Sequence, residues 1–541
     1  MFFYSEKRNI KRKILNSICP ICDEKVENLG RHIKEIHGQD KFEELVITAK
    51  QEGISDPLIG KIFGISFNQL EKIITEEYGI NISNLKGKKE IKSWEPKGFR
   101  LESTSVWSFK KRGNWATHDS RYRGNWSPYI PRNIILRYSK PGDLVLDYFV
   151  GGGTTAIEAK LLGRRCIAKD INPVAIELTK RNLKFNIPEH LREGRKIYEP
   201  EVYVGDARDL SEINEKVDLI CTHPPYSGII KYSSKVEGDL SALPYDEFFD
   251  AMKKIASESY RVLKPGGKLA MLIGDSRKNR CVLPIGFETI KIFLEQGFVL
   301  KELIIKRQHN CKTTGFWYKR SIKYNFFLLA HEYLPVFEKP SKEPQEMIYK
   351  IKEVKKLYQP ELFLEKFKKI EDENLETTTV WLFNKEDMEE NIRKNLIFRY
   401  SPYEHKLLEI KFPGKEKSFN EISHATLLYV HQSEKILDLD SLFSFFKSIK
   451  KNIIKEIFKG KEKHIVFRLR DFREKGKFVP SALLLWDNLR YTNLQLREII
   501  IVVEGDAISG EVSEGLEIVH EYLLIYKTNG GQNAGKNTKK C

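Results

Sequence analysis

The stretch "DLVLDYFVGGGTTAIEAKLLGRRCIAKD", residues 143 to 170, constrains the fold more than any other. It reads as a short buried strand over Leu144 to Leu146, a bend at Gly151, Gly152 and Gly153, a helix opening near Thr154, and a second strand closing on Asp170. Strands that alternate with helices in this way form a doubly wound α/β sheet, whose ligands lie at the carboxyl ends of the strands. Glycines let the backbone approach a ligand closely, while free amides at a helix start offer donors. A third strand, "EVYVGDARDL", ends in Asp206. Neither the Gly-x-Gly-x-x-Gly of a nicotinamide site nor the Gly-Lys-Ser/Thr of a phosphate loop is present.

Further along, "LICTHPPY" at 219 to 226 places two prolines at the end of an apolar run. Pro-Pro removes two backbone donors and fixes two φ angles, so it holds the carbonyls of His223 and Pro224 in one direction. Together, "DYFVGGGTT" and "THPPY" resemble the cofactor loop and the Pro-Pro-Tyr motif of S-adenosylmethionine-dependent DNA methyltransferases that modify exocyclic amines. The resemblance covers roughly residues 101 to 340. It implies a Rossmann-like class I methyltransferase sheet, with S-adenosyl-L-methionine held by Asp147, Phe149, Gly151, Gly153 and Thr154. It also implies Asp170 on the ribose, Asp206 beside the adenine amine, and His223, Pro224, Pro225 and Tyr226 as the catalytic group. Tyr148 replaces the family's usual proline and Gly152 its usual serine, from which an intact but more flexible loop is expected.

An exocyclic amine is a poor nucleophile because its lone pair is delocalised into the ring. Acceptors aimed at its hydrogens rehybridise the nitrogen, which then attacks the methyl in line, the proton leaving afterwards. The Pro224 carbonyl and the side chain at 223 are assigned that role, with Tyr226 stacking on a base turned out of the duplex. Family members carry Asp, Asn or Ser at 223. A histidine there must be neutral to accept; alternatively it is structural and the carbonyls suffice. Thr222 leans the target towards cytosine N4 over adenine N6. Upstream, Arg-Gly-Asn-Trp occurs at 112 to 115 and at 123 to 126, and Pro128, Tyr129 and Pro131 are expected to close over the methionine, the tryptophans serving there or in packing. "ESYRVLKPGGKLAMLIGD" reads as helix, Pro-Gly-Gly turn and strand.

The N-terminus carries Cys19-x2-Cys22-x9-His32-x4-His37, two thiolates and two imidazoles with the chemistry of a structural Zn2+ cage, similar to short prokaryotic C2H2 fingers. Ser55, Pro57 and Gly64, followed by a helix from Asn68, fit helix-turn-helix grammar or an ordinary helical hairpin.

Residues from 375 onward repeat those from 101. "LESTSVWSF" returns as "LETTTVWLF", and Asp275, Arg277, Pro284 and residues 303 to 305 match Asp471, Arg473, Pro480 and 499 to 501 at a constant offset of 196. One fixed offset implies duplication. The second copy has no glycine cluster and carries "YVHQSE" where the first has "CTHPPY", so no cofactor is expected in it. It is expected to pack against the first copy as a pseudo-dimer partner and to present a basic 447 to 477 face to DNA, a purely structural role being the alternative. Glu409-Ile410-Lys411 is discounted as a nuclease motif for want of an upstream Asp.

The expected units are therefore 1–40 (finger), 41–97 (helix-turn-helix and linker), 98–340 (methyltransferase), 341–374 (helical linker), 375–530 (degenerate copy) and 531–541 (tail). Within the 541 residues, a net charge of +17 points to a polyanionic partner, and basic residues interleaved with aromatics at 301 to 323 suggest a recognition loop. Seven cysteines, mostly isolated, argue against a disulfide framework. No long apolar run or leader is seen, so a cytoplasmic protein without a membrane partner is expected. The reading is a DNA methyltransferase of a restriction-modification system, acting on double-stranded DNA beside a cognate restriction endonuclease, as a monomer with an internal pseudo-dimer. An RNA base methyltransferase and an inactive DNA-binding regulator are the alternatives.

Overall fold

The computed structural model describes residues 10, 12–52, 54–66, 69–70, 73, 91–119, 124–192, 194–226, 236, 238–309, 321–341, 357–366, 375–414, 420–432, 438–459, 461–505 and 515–528. The second half of the expected helix-turn-helix, the tip of the basic 306 to 325 loop and the 531–541 tail lie outside them.

The first sheet is built from β1 (Val106–Ser108), β2 (Leu144–Asp147), β3 (Arg165–Asp170), β4 (Glu201–Val204), β5 (Val217–Thr222) and β6 (Leu263–Met271). A two-stranded hairpin, β7 (Ser276–Lys278) and β8 (Cys281–Leu283), stands apart, and β9 (Val299–Arg307) and β10 (His331–Glu338) complete the sheet. The order is β1-β9-β10-β6-β5-β2-β3-β4, with β10 antiparallel to both neighbours. All four residues of β2 are buried, as a central strand with both faces covered requires. The strand order reverses between β2 and β5, which opens a crevice at their carboxyl ends. The Pro-Gly-Gly segment is not a free turn. It lies within β6, where pairing with β5 slips between Val217 and Leu219 and Gly266 turns at φ 78, forming a bulge.

The second sheet comprises β11 (Gln359–Lys366), β12 (Val380–Phe383), β13 (Lys406–Gly414), β14 (Leu427–Gln432), β15 (His464–Leu469), β18 (Leu494–Glu504) and β19 (His520–Thr528), with a hairpin of β16 (Phe472–Glu474) and β17 (Lys477–Val479). Its order, β12-β18-β19-β15-β14-β13-β11, reproduces β1-β9-β10-β6-β5-β2 of the first sheet. Even the register repeats: β1 pairs Val106 with Ile305, and β12 pairs Val380 with Ile501. The strands equivalent to β3 and β4 are missing from this order. In their place β11, from the stretch expected to be helical linker, adds antiparallel to β13 and covers the exposed edge.

The two copies face each other through reciprocal pairs, the pattern of a two-fold interface inside one chain. Arg277 donates twice to Glu498, at 2.9 and 2.6 Å, and Arg473 donates to Glu302 at 2.6 Å. Ser105 Oγ lies 2.7 Å from His520 Nδ1, and Thr379 Oγ1 lies 2.8 Å from His331 Nδ1. Each histidine then reaches a tyrosine two residues on, Tyr522 and Tyr333. Arg473, with Arg468 and the buried Lys463, is therefore turned inward, so the 447 to 477 face is less basic than its sequence suggests. Nine exposed cations remain on it: Lys447, Lys450, Lys451, Lys455, Lys459, Lys461, Arg470, Lys475 and Lys477.

At the N-terminus, Cys19, Leu29, Ile33, Phe42, Val46, Ile59 and Phe63 share one core. The segment carrying Cys19, Cys22, His32 and His37 and the helices Gln39–Gln51 and Asp56–Phe63 thus pack together across the boundary expected at residue 40. Gly30 shows why the contact is tight: a Cβ there would sit 2.0 Å from the Phe63 carbonyl oxygen. Ser55 begins its helix in extended conformation without a side-chain cap bond, and Gly64 ends that helix in the left-handed region at φ 65.

Candidate active site

Asp147, at the end of β2, is buried and accepts from the Phe149 amide at 3.0 Å and from Thr222 Oγ1, at the end of β5, at 2.7 Å. Burial pushes its carboxyl up to about 6 against these hydrogen bonds. Asp147 therefore ties the two strands flanking the crevice together behind the cleft wall. Beyond it the glycine bend is bonded along its length. Gly151 N donates to Asp170 Oδ2 at 2.9 Å, Thr179 Oγ1 to the Gly151 carbonyl at 2.9 Å, and Asn182 Nδ2 to the Gly152 carbonyl at 2.9 Å. Gly152 N donates to Asn125 Oδ1 at 3.1 Å. The bend is intact, as expected, and Asn125 occupies the space that a side chain at 152 would fill. Tyr148 points into the core, with its hydroxyl 2.9 Å from Ser259 Oγ.

A cleft at the switch point is lined by Phe149, Gly151, Asp170 and Asp206 at the ends of β2, β3 and β4, and by His223 and Pro225 after β5. Gly124, Asn125 and Trp126 close one side, and Asp239 and Leu240 another. Gly153 and Thr154, expected to touch cofactor, begin the helix Thr154–Leu161 behind this wall; Gly153 has φ 89, and a Cβ there would press on Thr179 at 3.1 Å. Pro128, Tyr129 and Pro131 are likewise absent from the lining. Tyr129 packs edge-on against Trp115 at 4.8 Å and stacks on Phe109 at 5.2 Å. Trp115 itself donates to the buried Glu158 at 2.7 Å, so the first Arg-Gly-Asn-Trp packs while the second reaches the cleft.

Asp170 also accepts from the Asn172 amide, and burial raises its carboxyl to about 7. Asp206 differs. Burial would raise its carboxyl too, but Arg208, bonding both oxygens, brings it below the ordinary value.

His223 stacks on Trp126, with ring centroids 5.7 Å apart at 23°. Its Nε2 lies 3.0 Å from the Tyr226 hydroxyl. Burial, with Lys306 and Arg112 nearby, lowers its pKa to about 4 despite the opposing Glu332 charge, so the ring is neutral at physiological pH. The side chain at 223 thus both lines the cleft and packs on Trp126 and Tyr226. Pro224 is buried, and Tyr226 is partly buried beside Gly274, where a Cβ would meet its ring at 2.9 Å.

Sequence reasoning missed Glu332. It accepts from the Tyr226 hydroxyl at 2.9 Å and from Lys306 Nζ at 2.7 Å, Lys306 being its cross-strand neighbour in β9. Burial would raise its carboxyl, but Lys306, His223 and the Tyr226 hydroxyl hold it at about 2. "HEY" occurs in both copies, at 331 to 333 and 520 to 522, which made it read as repeated structure only.

In the second copy the same strand ends carry different chemistry. In register, Glu409 stands where Asp147 does and His431 where His223 does. The Glu409 carboxylate is bonded by His431 at 2.7 Å and Arg393 at 2.8 Å, with Lys411 at 3.5 Å, so cationic and imidazole groups surround it where Asp147 meets Thr222 and the Phe149 amide.

Cys19 Sγ lies 3.5 Å from His37 Nε2, Cys22 Sγ lies 3.3 Å from His32 Nε2, and the four donor atoms fall within 4.8 Å of one another. A tetrahedral zinc site with ordinary bond lengths has sulfur–nitrogen edges of roughly 3.5 Å. A spacing of five residues does not align two side chains on an α-helix. Here Ile33–His37 is a π-helical turn, which widens the turn and brings His32 and His37 to 5.4 Å between ring centroids.

Sheet order, switch-point cleft and glycine bend together define the Rossmann-like class I methyltransferase architecture. A family model described as DNA methylase matches residues 17–181 and 217–439, more than half of the sequence, and the chain belongs to that family. A second, described as "RMKL-like, methyltransferase domain", matches residues 135–277. Among curated proteins, a tRNA (guanine(10)-N2)-dimethyltransferase of Methanothermobacter thermautotrophicus is 32% identical over 194 residues, 36% of this chain and 48% of its own length. The type II methyltransferase M.MjaVI of Methanocaldococcus jannaschii is 30% identical over 104 residues, 19% of this chain and 52% of its own. The chain thus spans about half the length of these relatives. TrmN from Thermus thermophilus, a solved structure, is 20% identical, with 40% of this chain and 50% of that one covered at a TM-score of 0.26. No helix among the described residues is long and apolar enough to cross a membrane.

Proposed function

We propose that the chain is an S-adenosylmethionine-dependent DNA methyltransferase that modifies an exocyclic amine of a base turned out of the duplex. The observation that carries this is one cleft lined at one end by Phe149, Gly151, Asp170 and Asp206 and at the other by His223 and Pro225. A donor bound there would supply an electrophilic methyl group on a sulfonium. Phe149 and Gly151 suit its methionine end and Asp170 the ribose hydroxyls, while Arg208 holds the Asp206 carboxylate where an adenine amine would meet it. The Pro224 carbonyl accepts from the target amine and localises its lone pair for in-line attack. Tyr226, its hydroxyl fixed by Glu332, stands beside the base. Cytosine N4 is preferred over adenine N6 on Thr222 alone.

An RNA substrate is a second reading, favoured by the similarity to a tRNA (guanine(10)-N2)-dimethyltransferase. Tritiated-methyl transfer with duplex DNA and structured RNA in competition separates the two. Transfer to RNA alone would overturn the DNA reading, and transfer to neither would leave the inactive regulator. The four N-terminal donors suit a structural Zn2+ that braces the unit formed with the two following helices. Operation in the cytoplasm, within a restriction-modification system and beside a cognate endonuclease, belongs to the same proposal, as does a monomer whose two copies form the pair.

A further inference from the structure

Of the three loop glycines, Gly151 (φ 52) and Gly153 (φ 89) are left-handed, whereas Gly152 is not, so its backbone would admit a side chain. What excludes one is Asn125. A Cβ at 152 would lie 2.5 Å from Asn125 Nδ2, 2.9 Å from Oδ1 and 3.1 Å from Cγ. The Asn125 carboxamide is oriented at both ends, accepting from Gly152 N at 3.1 Å and donating to the Asp119 carbonyl at 3.2 Å. It also lines the cleft, between Gly124 and Trp126, whose ring stacks on His223.

We infer that Asn125 is a positioning residue of the cofactor site, whose carboxamide takes the place of a side chain at 152 and locks the segment 124–126 onto the glycine bend. The inference rests on the reading that this cleft binds S-adenosylmethionine. Thr179 and Asn182 hold the carbonyls of the bend, while Asn125 holds an amide of it from the cleft side. One residue thereby joins the bend to the 124–126 wall of the cleft on the donor's side.

The test is calorimetric titration of S-adenosylmethionine into the full chain as wild type, Asn125→Ala, Gly152→Ser and the double variant. Loss of one such hydrogen bond with its contacts should weaken binding about tenfold in Asn125→Ala. Gly152→Ser alone should be as weak or weaker, because the serine meets the carboxamide. The double variant, in which the serine fills the vacated space, should return to within roughly threefold of wild type, since contacting sites are non-additive. In methyl transfer, Asn125→Ala should raise KM for the donor and leave kcat near wild type. Unchanged affinity in Asn125→Ala, a double variant as weak as the product of the singles, or a fall in kcat at constant KM would each overturn the inference. Should Gly152→Ser fail to fold, Asn125→Ala and the double variant still decide. Failure of wild type to take up the donor would instead remove the cofactor reading itself, and this inference with it.

Discussion

Lys291 and Asp487 occupy the same place in the two copies, 196 positions apart, and they meet: Lys291 Nζ donates to Asp487 Oδ1 at 2.5 Å. A position that contacts its own counterpart lies on the axis of a two-fold arrangement. The duplicated halves are therefore related here as two subunits would be, and the opposite charges show that the axis is no longer a true symmetry element.

The reciprocal ion pairs off that axis should carry much of the interface stability. Glu498 is 2% exposed and holds Arg277. Glu498→Ala leaves a largely buried guanidinium unpaired, and denaturant titration should show a loss of about 3–5 kcal/mol. The swap Arg277→Glu/Glu498→Arg should restore part of it. A loss below about 1 kcal/mol would mean the pair is no more than a surface salt bridge.

Pro224→Ala and Tyr226→Phe probe the proposed chemistry. Tyr226→Phe removes the hydroxyl that lies between His223 and Glu332 and leaves Glu332 with Lys306. Turnover should fall by about ten- to a hundredfold in each variant, the range of a lost positioning or polar contribution, with donor affinity unchanged by calorimetry. Full activity in both would remove this corner from the mechanism.

Asp170 should make donor binding pH-dependent. Its folded pKa, about 7, lies above the ordinary carboxylate value, so the fold holds a proton that the unfolded chain releases. Its contribution to stability accordingly falls as pH rises from about 4 to about 7. Ribose hydroxyls favour the ionised form, so donor affinity should rise with pH up to about 7, with proton release measurable as a buffer-dependent enthalpy. Asp170→Asn should bind weakly and without that dependence.

Glu332 has the opposite sign. Held at about 2, it stabilises the fold above its unfolded pKa, and that contribution is lost as pH falls through about 4 towards 2. Wild type and Glu332→Gln should therefore differ in stability at neutral pH and converge near pH 2. Parallel acid-unfolding curves would show that the carboxylate is not held by Lys306 and Tyr226.

If the four N-terminal donors hold the proposed zinc, its removal should disturb more than residues 19–37. Cys19 is buried in the core shared with the helices through Phe63, so a chelator or Cys22→Ala should lower hydrogen-exchange protection across residues 39–63. Metal analysis should fall from one zinc per chain to none. Donor binding in the cleft should not change.

The sheet was legible because its signals are local. An apolar run, a glycine cluster and a strand ending in a carboxylate announce themselves within thirty residues, and Leu144, Gly151 and Asp170 fall where that grammar puts them. The duplication was legible because one offset holds across Asp275, Arg277 and Pro284. What escaped depends on distant partners. Asn125 opposite Gly152, Glu332 behind Tyr226 and the inward turn of Arg473 are relations across the fold that no single stretch displays. The strand β11 was hidden by its charge: Glu361, Glu365 and Lys366 look like a solvated helix, yet an edge strand with one open side tolerates them.

Among the described residues the second sheet has no equivalents of β3 and β4, whose ends line the cleft of the first; we take the first cleft to be the one that works. On the proposed reading, a palindromic duplex offers the two-fold frame two equivalent bases, but only one can be served per encounter. The complementary strand has to wait for release and re-engagement in the opposite orientation. Hemimethylated duplex should then accumulate early in a time course and decline later, whereas a protein with two competent clefts could convert both strands without letting go.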